Sequence, residues 1–231
     1  MKKILPFIFF LIIAIQAQSQ YKPVLFGMRV GANLGWIKPD VDEYNSDGIV
    51  PGFTWGFIGE FYMMENYAIL TGFNVNFNGG RLEYPYRMDI NNDTFLEDGM
   101  MSRKYSLKYL QIPLCLKMQT ELSDQLTAFL KIGLGTAFLL DAKGTDEFLY
   151  DGLKKSISKH NIDDDISLLR ESLIVGGGIK LKIKGSMALI IDITYDNAFN
   201  NMLTENNRVL PGDPKPKAKH NFVELGAGIV F

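Results

Sequence analysis

From Val24 onward, apolar side chains recur at every second position, and no other feature restricts the fold so sharply. Val24, Phe26, Met28, Val30, Ala32, Leu34 and Trp36 are apolar; between them stand Leu25, Gly27, Arg29, Gly31, Asn33 and Gly35. A helix would scatter the apolar set round its circumference, whereas a strand places it on one face. The pattern returns over residues 53–61, 67–77, 110–118, 126–138, 173–183, 187–195 and 223–231. Together these segments predict eight strands, several of ten residues or more. A usual globular strand has about five or six residues, whereas a tilted strand crossing a bilayer needs about 9–11.

The connections separate a soluble sandwich from a barrel. Ile37–Gly52, Gly79–Arg103, Asp141–Asp165 and Asn197–Lys219 are long and polar, while Met63–Asn66, Gln119–Asp124 and Lys184–Ser186 are short. Long and short connections alternate strictly. Greek-key crossings give no reason for that order, but an up-and-down outer-membrane barrel does, with short periplasmic turns and longer outer loops. The expected fold is therefore all-β: an eight-stranded antiparallel transmembrane barrel with four long outer loops and three short turns. Closure also leaves no strand edge unpaired in lipid. Tyr105 to Tyr109 read in the opposite phase to Leu110–Met118, which predicts a bulge near Leu110; Pro113 lacks an amide proton.

The first residues read as an address. Lys2 and Lys3 precede the apolar stretch Ile4–Ile15, and small residues follow at Ala17 and Ser19. Twelve apolar residues are short for a membrane-spanning helix, so residues 1–19 are expected to be a cleaved secretory signal and residues 20–231 the barrel. The expected location is the outer membrane of a Gram-negative cell, with its lipid and the barrel assembly machinery as partners. Phe231, an aromatic ending an alternating strand, resembles the signal which that machinery reads. A formal net charge of -2 gives no reason to expect nucleic acid. The single cysteine, Cys115, excludes an intramolecular disulfide and any zinc site with two cysteine ligands.

If the apolar parity faces lipid, the other parity fills a lumen narrow enough to be packed by side chains. Gly27, Gly31, Gly35, Gly133, Gly135, Gly176, Gly178, Gly226 and Gly228 fall on it. So do Arg29, Lys117, Lys131, Arg170, Lys180 and Lys182, and the acids Glu60, Asp192, Asp196 and Glu224. Opposite charges crowded together should pair into a plug, so an open ion channel is not expected. The aromatics Trp36, Phe53, Trp55, Tyr62, Tyr67, Phe77 and Phe138 fall near strand ends, where interfacial girdles sit.

Motifs for catalysis are weak. Gly133-Leu134-Gly135 lies within continuing alternation, not at a strand-to-helix turn, and Gly176-Gly177-Gly178-Ile179-Lys180 lacks the spacing of a phosphate loop. His160 and His220 are expected on the outer side, near Ser158 and Asp163–Asp165, as the nearest thing to an external hydrolase or acyltransferase site. Consecutive carboxylates lack the spacing of a calcium loop. No enzyme, cofactor or metal is expected.

Lys108-Tyr109-Leu110-Gln111-Ile112-Pro113-Leu114, the Gly133-Leu134-Gly135 strand, and Asp163-Asp164-Asp165-Ile166-Ser167-Leu168 leading to Gly176-Gly177-Gly178 resemble the outer-membrane β-barrel family of Bacteroidota. Asp192 to Asn201 and Asn221 to Phe231 look most like its PorT branch. The resemblance covers nearly the whole mature chain. It implies support of cargo secretion by the type IX system, which also serves gliding in some members, with secretion-system components as partners and no catalytic residues. The other role open to such a chain is a structural or adhesive barrel that binds a ligand or surface through its outer loops.

Overall fold

The computed structural model describes residues 24–89, 96–204, 209 and 216–231; the expected signal at 1–19 lies outside them. Ten strands are present among the described residues: β1 (Val24–Pro39), β2 (Asn45–Ser46), β3 (Val50–Met64), β4 (Tyr67–Met88), β5 (Glu97–Glu121), β6 (Leu126–Tyr150), β7 (Leu153–Asn161), β8 (Leu169–Lys184), β9 (Met187–Ala198) and β10 (Ala218–Val230). Eight of them close a ring in the order β1-β3-β4-β5-β6-β8-β9-β10, every pair antiparallel, with β10 returning to β1. Phe231 completes the closure: its N–H donates to the Phe26 carbonyl at 2.9 Å, and Phe26 N–H donates back at 3.2 Å. No helix among the described residues is long and apolar enough to cross a membrane; the ring crosses with strands.

The outer connections differ from the expected loops. The Gly79–Arg103 stretch is for the most part strand, because β4 runs on to Met88 and β5 starts at Glu97. Within Asp141–Asp165, β6 continues to Tyr150 and β7 folds back on it through a turn at Asp151 and Gly152, both at positive φ. At 25 residues, β5 and β6 are far longer than the bilayer needs. Above the membrane, β2, β4, β5, β6 and β7 form a standing sheet.

The reason these extensions escape a search for apolar outward faces is that polarity inverts along the strand. On β5, Leu110, Ile112 and Leu114 point outward below, and Ser102, Lys104, Ser106 and Lys108 point outward above. On the opposite parity, Gln111, Cys115 and Lys117 are buried below, while Met101, Tyr105, Leu107 and Tyr109 are buried above. The parity itself never breaks, so the bulge expected near Leu110 is absent from β5. The extra residue is Leu140 on the neighbouring strand, where pairing passes from Lys108↔Asp141 to Tyr109↔Leu139.

Pro113 sits opposite Gly72, at the one place where the β4–β5 pairing is interrupted, between Leu70↔Cys115 and Asn74↔Gln111. Proline has no N–H for the ladder. Gly72 answers with φ +137, a conformation that side-chain-bearing residues rarely adopt.

Candidate functional site: the packed lumen and its outer cap

Inward parity stacks charged groups in three tiers along the barrel axis. At the periplasmic end, Lys117 Nζ donates to Glu60 at 2.5 Å, the Tyr62 hydroxyl donates to Glu60 at 2.6 Å, and Lys180 donates to the Tyr62 oxygen at 2.8 Å. Lys180 stands 3.9 Å from Glu60 itself. The Lys117 ammonium also lies over the Phe129 ring, 4.5 Å from its centre. In the middle tier, Arg29 bridges Glu224 at 2.5 Å and Asp192 at 3.3 Å; Asp192 further accepts from Lys131 and from Thr194 Oγ1. In the upper tier, Asp196 accepts from Arg170 at 2.5 Å and from Gln111 at 2.7 Å, and Asn76 donates to Gln111.

Register explains why the charges separate into tiers. Lys117 and Lys131 are directly opposite on β5 and β6. Two like charges so placed repel, so each is drawn to its own acid, Glu60 on β3 or Asp192 on β9. Glycine makes the room: a Cβ at Gly226 would stand 2.5 Å from both Arg29 Nη2 and Asp192 Oδ1, and one at Gly31 would meet Glu224 at 2.8 Å.

Of the ten charged residues expected in the lumen, the structure brings nine together: Arg29, Glu60, Lys117, Lys131, Arg170, Lys180, Asp192, Asp196 and Glu224. Lys182 does not join them. It shares the inward parity but lies exposed near the end of β8, with no ion pair among the described residues. Tyr62, expected in the outward girdle, is instead a luminal hydroxyl. Trp36, Phe53 and Phe77 are rim aromatics: Trp36 stacks on Tyr195, and Phe53 on Phe77 with centroids 4.3 Å apart.

Apolar clusters pack beside the lower tier and above the upper one. Below, Leu25, Phe129, Ala188, Ile190 and Val230 pack together. Above, a larger cluster joins the strand extensions to the connecting segments and includes Ile37, Leu82, Tyr84, Met101, Tyr105, Tyr109, Phe148, Ile166 and Met202. Sequence reading missed this cap, whose signal is the inward run Met101, Tyr105, Leu107, Tyr109 on β5. An ion cluster pins it. Arg103 donates to both oxygens of Asp146 at 2.8 Å and to Asp165 at 3.0 Å. Burial acts to lower the Arg103 pKa, but Tyr84, Asp146 and Tyr105 outweigh it and hold the guanidinium above its ordinary value. Burial pushes the Tyr84 and Tyr105 hydroxyls upward. The cavity among the charged tiers, lined by Arg29, Asn74, Gln111, Lys131 and Asp192 among others, measures about 40 Å³. That is room for about two or three waters.

The two histidines are not brought together. His220, near the start of β10, points inward; it is fully buried, with Nε2 3.2 Å from the Gly79 carbonyl. His160 lies on β7, with Nε2 3.6 Å from Asp146. The acids near it carry structural bonds: Asp163 accepts from Ala142 N–H, and Asp165 holds Arg103. Among the described residues, no three His, Cys, Asp or Glu side chains are grouped to hold a metal ion.

No curated protein matches the chain. Among solved structures it is similar to Neisserial surface protein A, with 12% identity over 89% of this chain and 95% of that one, TM-score 0.48. It is similar also to OprG of Pseudomonas aeruginosa, with 12% identity over 91% and 97%, TM-score 0.47. Ail of Yersinia pestis follows with 14% identity over 90% and 98%, TM-score 0.39. The family model of the outer membrane protein β-barrel domain matches residues 16–204, most of the chain. With its closed ring of lipid-facing strands, the chain belongs to the outer membrane protein β-barrel domain family and is a protein of the outer membrane.

Proposed function

We propose that the chain is a non-enzymatic barrel that supports protein secretion by the type IX system, as a PorT-like member of the Bacteroidota outer-membrane barrels. The observation that carries this reading is the filled interior. Among the described residues, three ion-paired tiers and two apolar clusters fill it, with a cavity of about 40 Å³ among the charges. A barrel filled in this way acts through its surfaces, which suits an accessory part of a secretion apparatus. The finer assignment is supported by the Lys108–Leu114 run and by the Asp192–Asn201 and Asn221–Phe231 segments. On this reading residues 1–19 are removed on export from a Gram-negative cytoplasm. The barrel assembly machinery reads Phe231, which lies exposed on the lipid-facing side of the closure. The luminal network holds the barrel rigid and shut.

The test is deletion of the gene followed by analysis of secreted proteins. Loss of type IX cargo from the medium, restored by the full chain, supports the export role; unchanged cargo refutes it. The folded outer cap favours one second reading, an adhesive or ligand-binding barrel. It predicts intact secretion with lost surface attachment when the Tyr150–Leu153 tip is replaced.

A further inference from the structure

On the outer face of β4 and β5, just above the lipid-facing side chains, three cations stand together. Register places Arg81 directly opposite Lys104, and Lys108 opposite Phe77, one strand turn nearer the membrane. Unbroken parity puts Lys104 and Lys108 on the same face as Ile112 and Leu114, and Arg81 on the face of Phe73 and Phe77. Like charges directly opposite in a ladder repel. A soluble sheet relieves such a pair with a neighbouring carboxylate, yet here none of the three forms an ion pair among the described residues. Lys108 rests over the Phe77 ring, 5.3 Å from its centre. The nearest acid in the ladder, Asp141, is taken by Lys143 at 2.9 Å. One rung further out, Asp47 accepts from Ser102, and Glu83 opposite Ser102 forms no ion pair among the described residues.

We propose that Arg81, Lys104 and Lys108 bind the phosphates of a phosphorylated glycolipid of the outer leaflet. The commitment to a lipid follows from continuity along one strand. Going down β5, the outward residues read Lys104, Ser106, Lys108, then Leu110, Ile112 and Leu114. That order matches an anionic head seated above acyl chains on the same face. A free anion would be held by the upper residues alone and would gain nothing from the apolar ones. Arginine offers phosphate a planar fork and lysine a point charge, and anionic headgroups attract cations at this height. At the β1–β10 seam, by contrast, Lys38 stands opposite Lys219 but Asp40 lies 3.5 Å from the Lys219 ammonium and relieves the pair.

The experiment uses the mature full chain folded in detergent micelles, with native mass spectrometry reading bound lipid. Bis-phosphorylated lipid A is titrated against its fully dephosphorylated form and against inorganic pyrophosphate. Phosphorylated lipid should bind at least about tenfold tighter than either, and the triple variant R81Q/K104Q/K108Q should lose about tenfold. Heat-modifiable gel migration checks that the variant is folded. Lys104→Gln alone keeps the test decisive if it is not. Relief of the like-charge pair should leave the lipid-free melting temperature unchanged or raised, while the stabilisation by added lipid A shrinks. Equal binding of dephosphorylated lipid, equal binding of pyrophosphate, unchanged affinity in the folded triple variant, or a lowered lipid-free melting temperature in Lys104→Gln would overturn the proposal.

Discussion

Lys117→Met removes one half of a pair in which both side chains are fully buried and 2.5 Å apart. The carboxylate of Glu60 is then left with the Tyr62 hydroxyl at 2.6 Å and the Lys180 ammonium at 3.9 Å. Breaking a buried pair by deleting one partner costs about 3–5 kcal/mol. The two residual partners put this case at the lower end, about 3 kcal/mol, which is more than a hundredfold in the folding equilibrium. Glu60→Leu should cost about as much, because it strands the Lys117 ammonium against the Phe129 ring. The double variant removes both charges and keeps the volume. Tyr62 retains Gln119 as acceptor at 3.1 Å, and Lys180 reaches solvent. It should therefore fall within about 1 kcal/mol of the parent, giving a coupling of about 5 kcal/mol. Equilibrium urea unfolding in phosphatidylcholine vesicles, followed by the emission of Trp36 and Trp55, measures all four corners. Simple additivity of the two single losses would refute the idea that the lower tier holds the barrel as a compensated pair.

Other expectations follow from the same packing. Gly133→Ala drives a Cβ into the Leu114 carbonyl oxygen, an atom of backbone that cannot move aside, and should cost about 2–3 kcal/mol. Gly226→Ala meets only the tips of Arg29 and Asp192 and should cost less in the same unfolding assay. Arg103→Met strands Asp146 and Asp165 in the cap. Limited proteolysis should then cut β7 at least about tenfold faster, because local opening there becomes easier by more than about 1.4 kcal/mol, while barrel melting stays unchanged. The raised pKa values of Tyr84 and Tyr105 mean that the fold prefers their neutral forms. Their contribution is complete below the ordinary tyrosine pKa of about 10 and is lost as pH rises above it. Tyrosinate absorbance should show late-ionising hydroxyls that titrate together with loss of near-ultraviolet dichroism; titration of every tyrosine near pH 10 with the dichroism intact would contradict the buried cap.

The transmembrane half of the fold is written in side-chain parity. Residues from Val24 to Trp36 and from Val223 to Phe231 alternate cleanly because one face meets hydrocarbon and the other a crowded lumen. That contrast ends where the bilayer ends. Above Lys108 the outside of β5 is wet and its inside, Arg103 apart, is apolar, so Met101, Tyr105 and Tyr109 look like a phase error when lipid-facing strands alone are sought. The same change of environment hid β7 and the extensions of β4 and β6 inside apparent loops. Luminal charges such as Asp192 and Lys131 could be named from parity, but their pairing could not. It depends on the β5–β6 register that sets Lys117 against Lys131 and on glycines whose missing side chains let Arg29 cross to Glu224. Tyr62 and Lys182 were misplaced for a related reason: near a strand end, parity states which face a residue is on and leaves open whether that face is packed or wet.

Conductance across a planar bilayer tests the sealed interior most directly. Wild-type protein inserted at physiological salt should show no stable large openings, because charged tiers and apolar layers leave space for about two or three waters in the cavity of about 40 Å³. Stable, large, single-step openings from the folded, unmutated barrel would contradict the plugged lumen and with it a function carried only on surfaces.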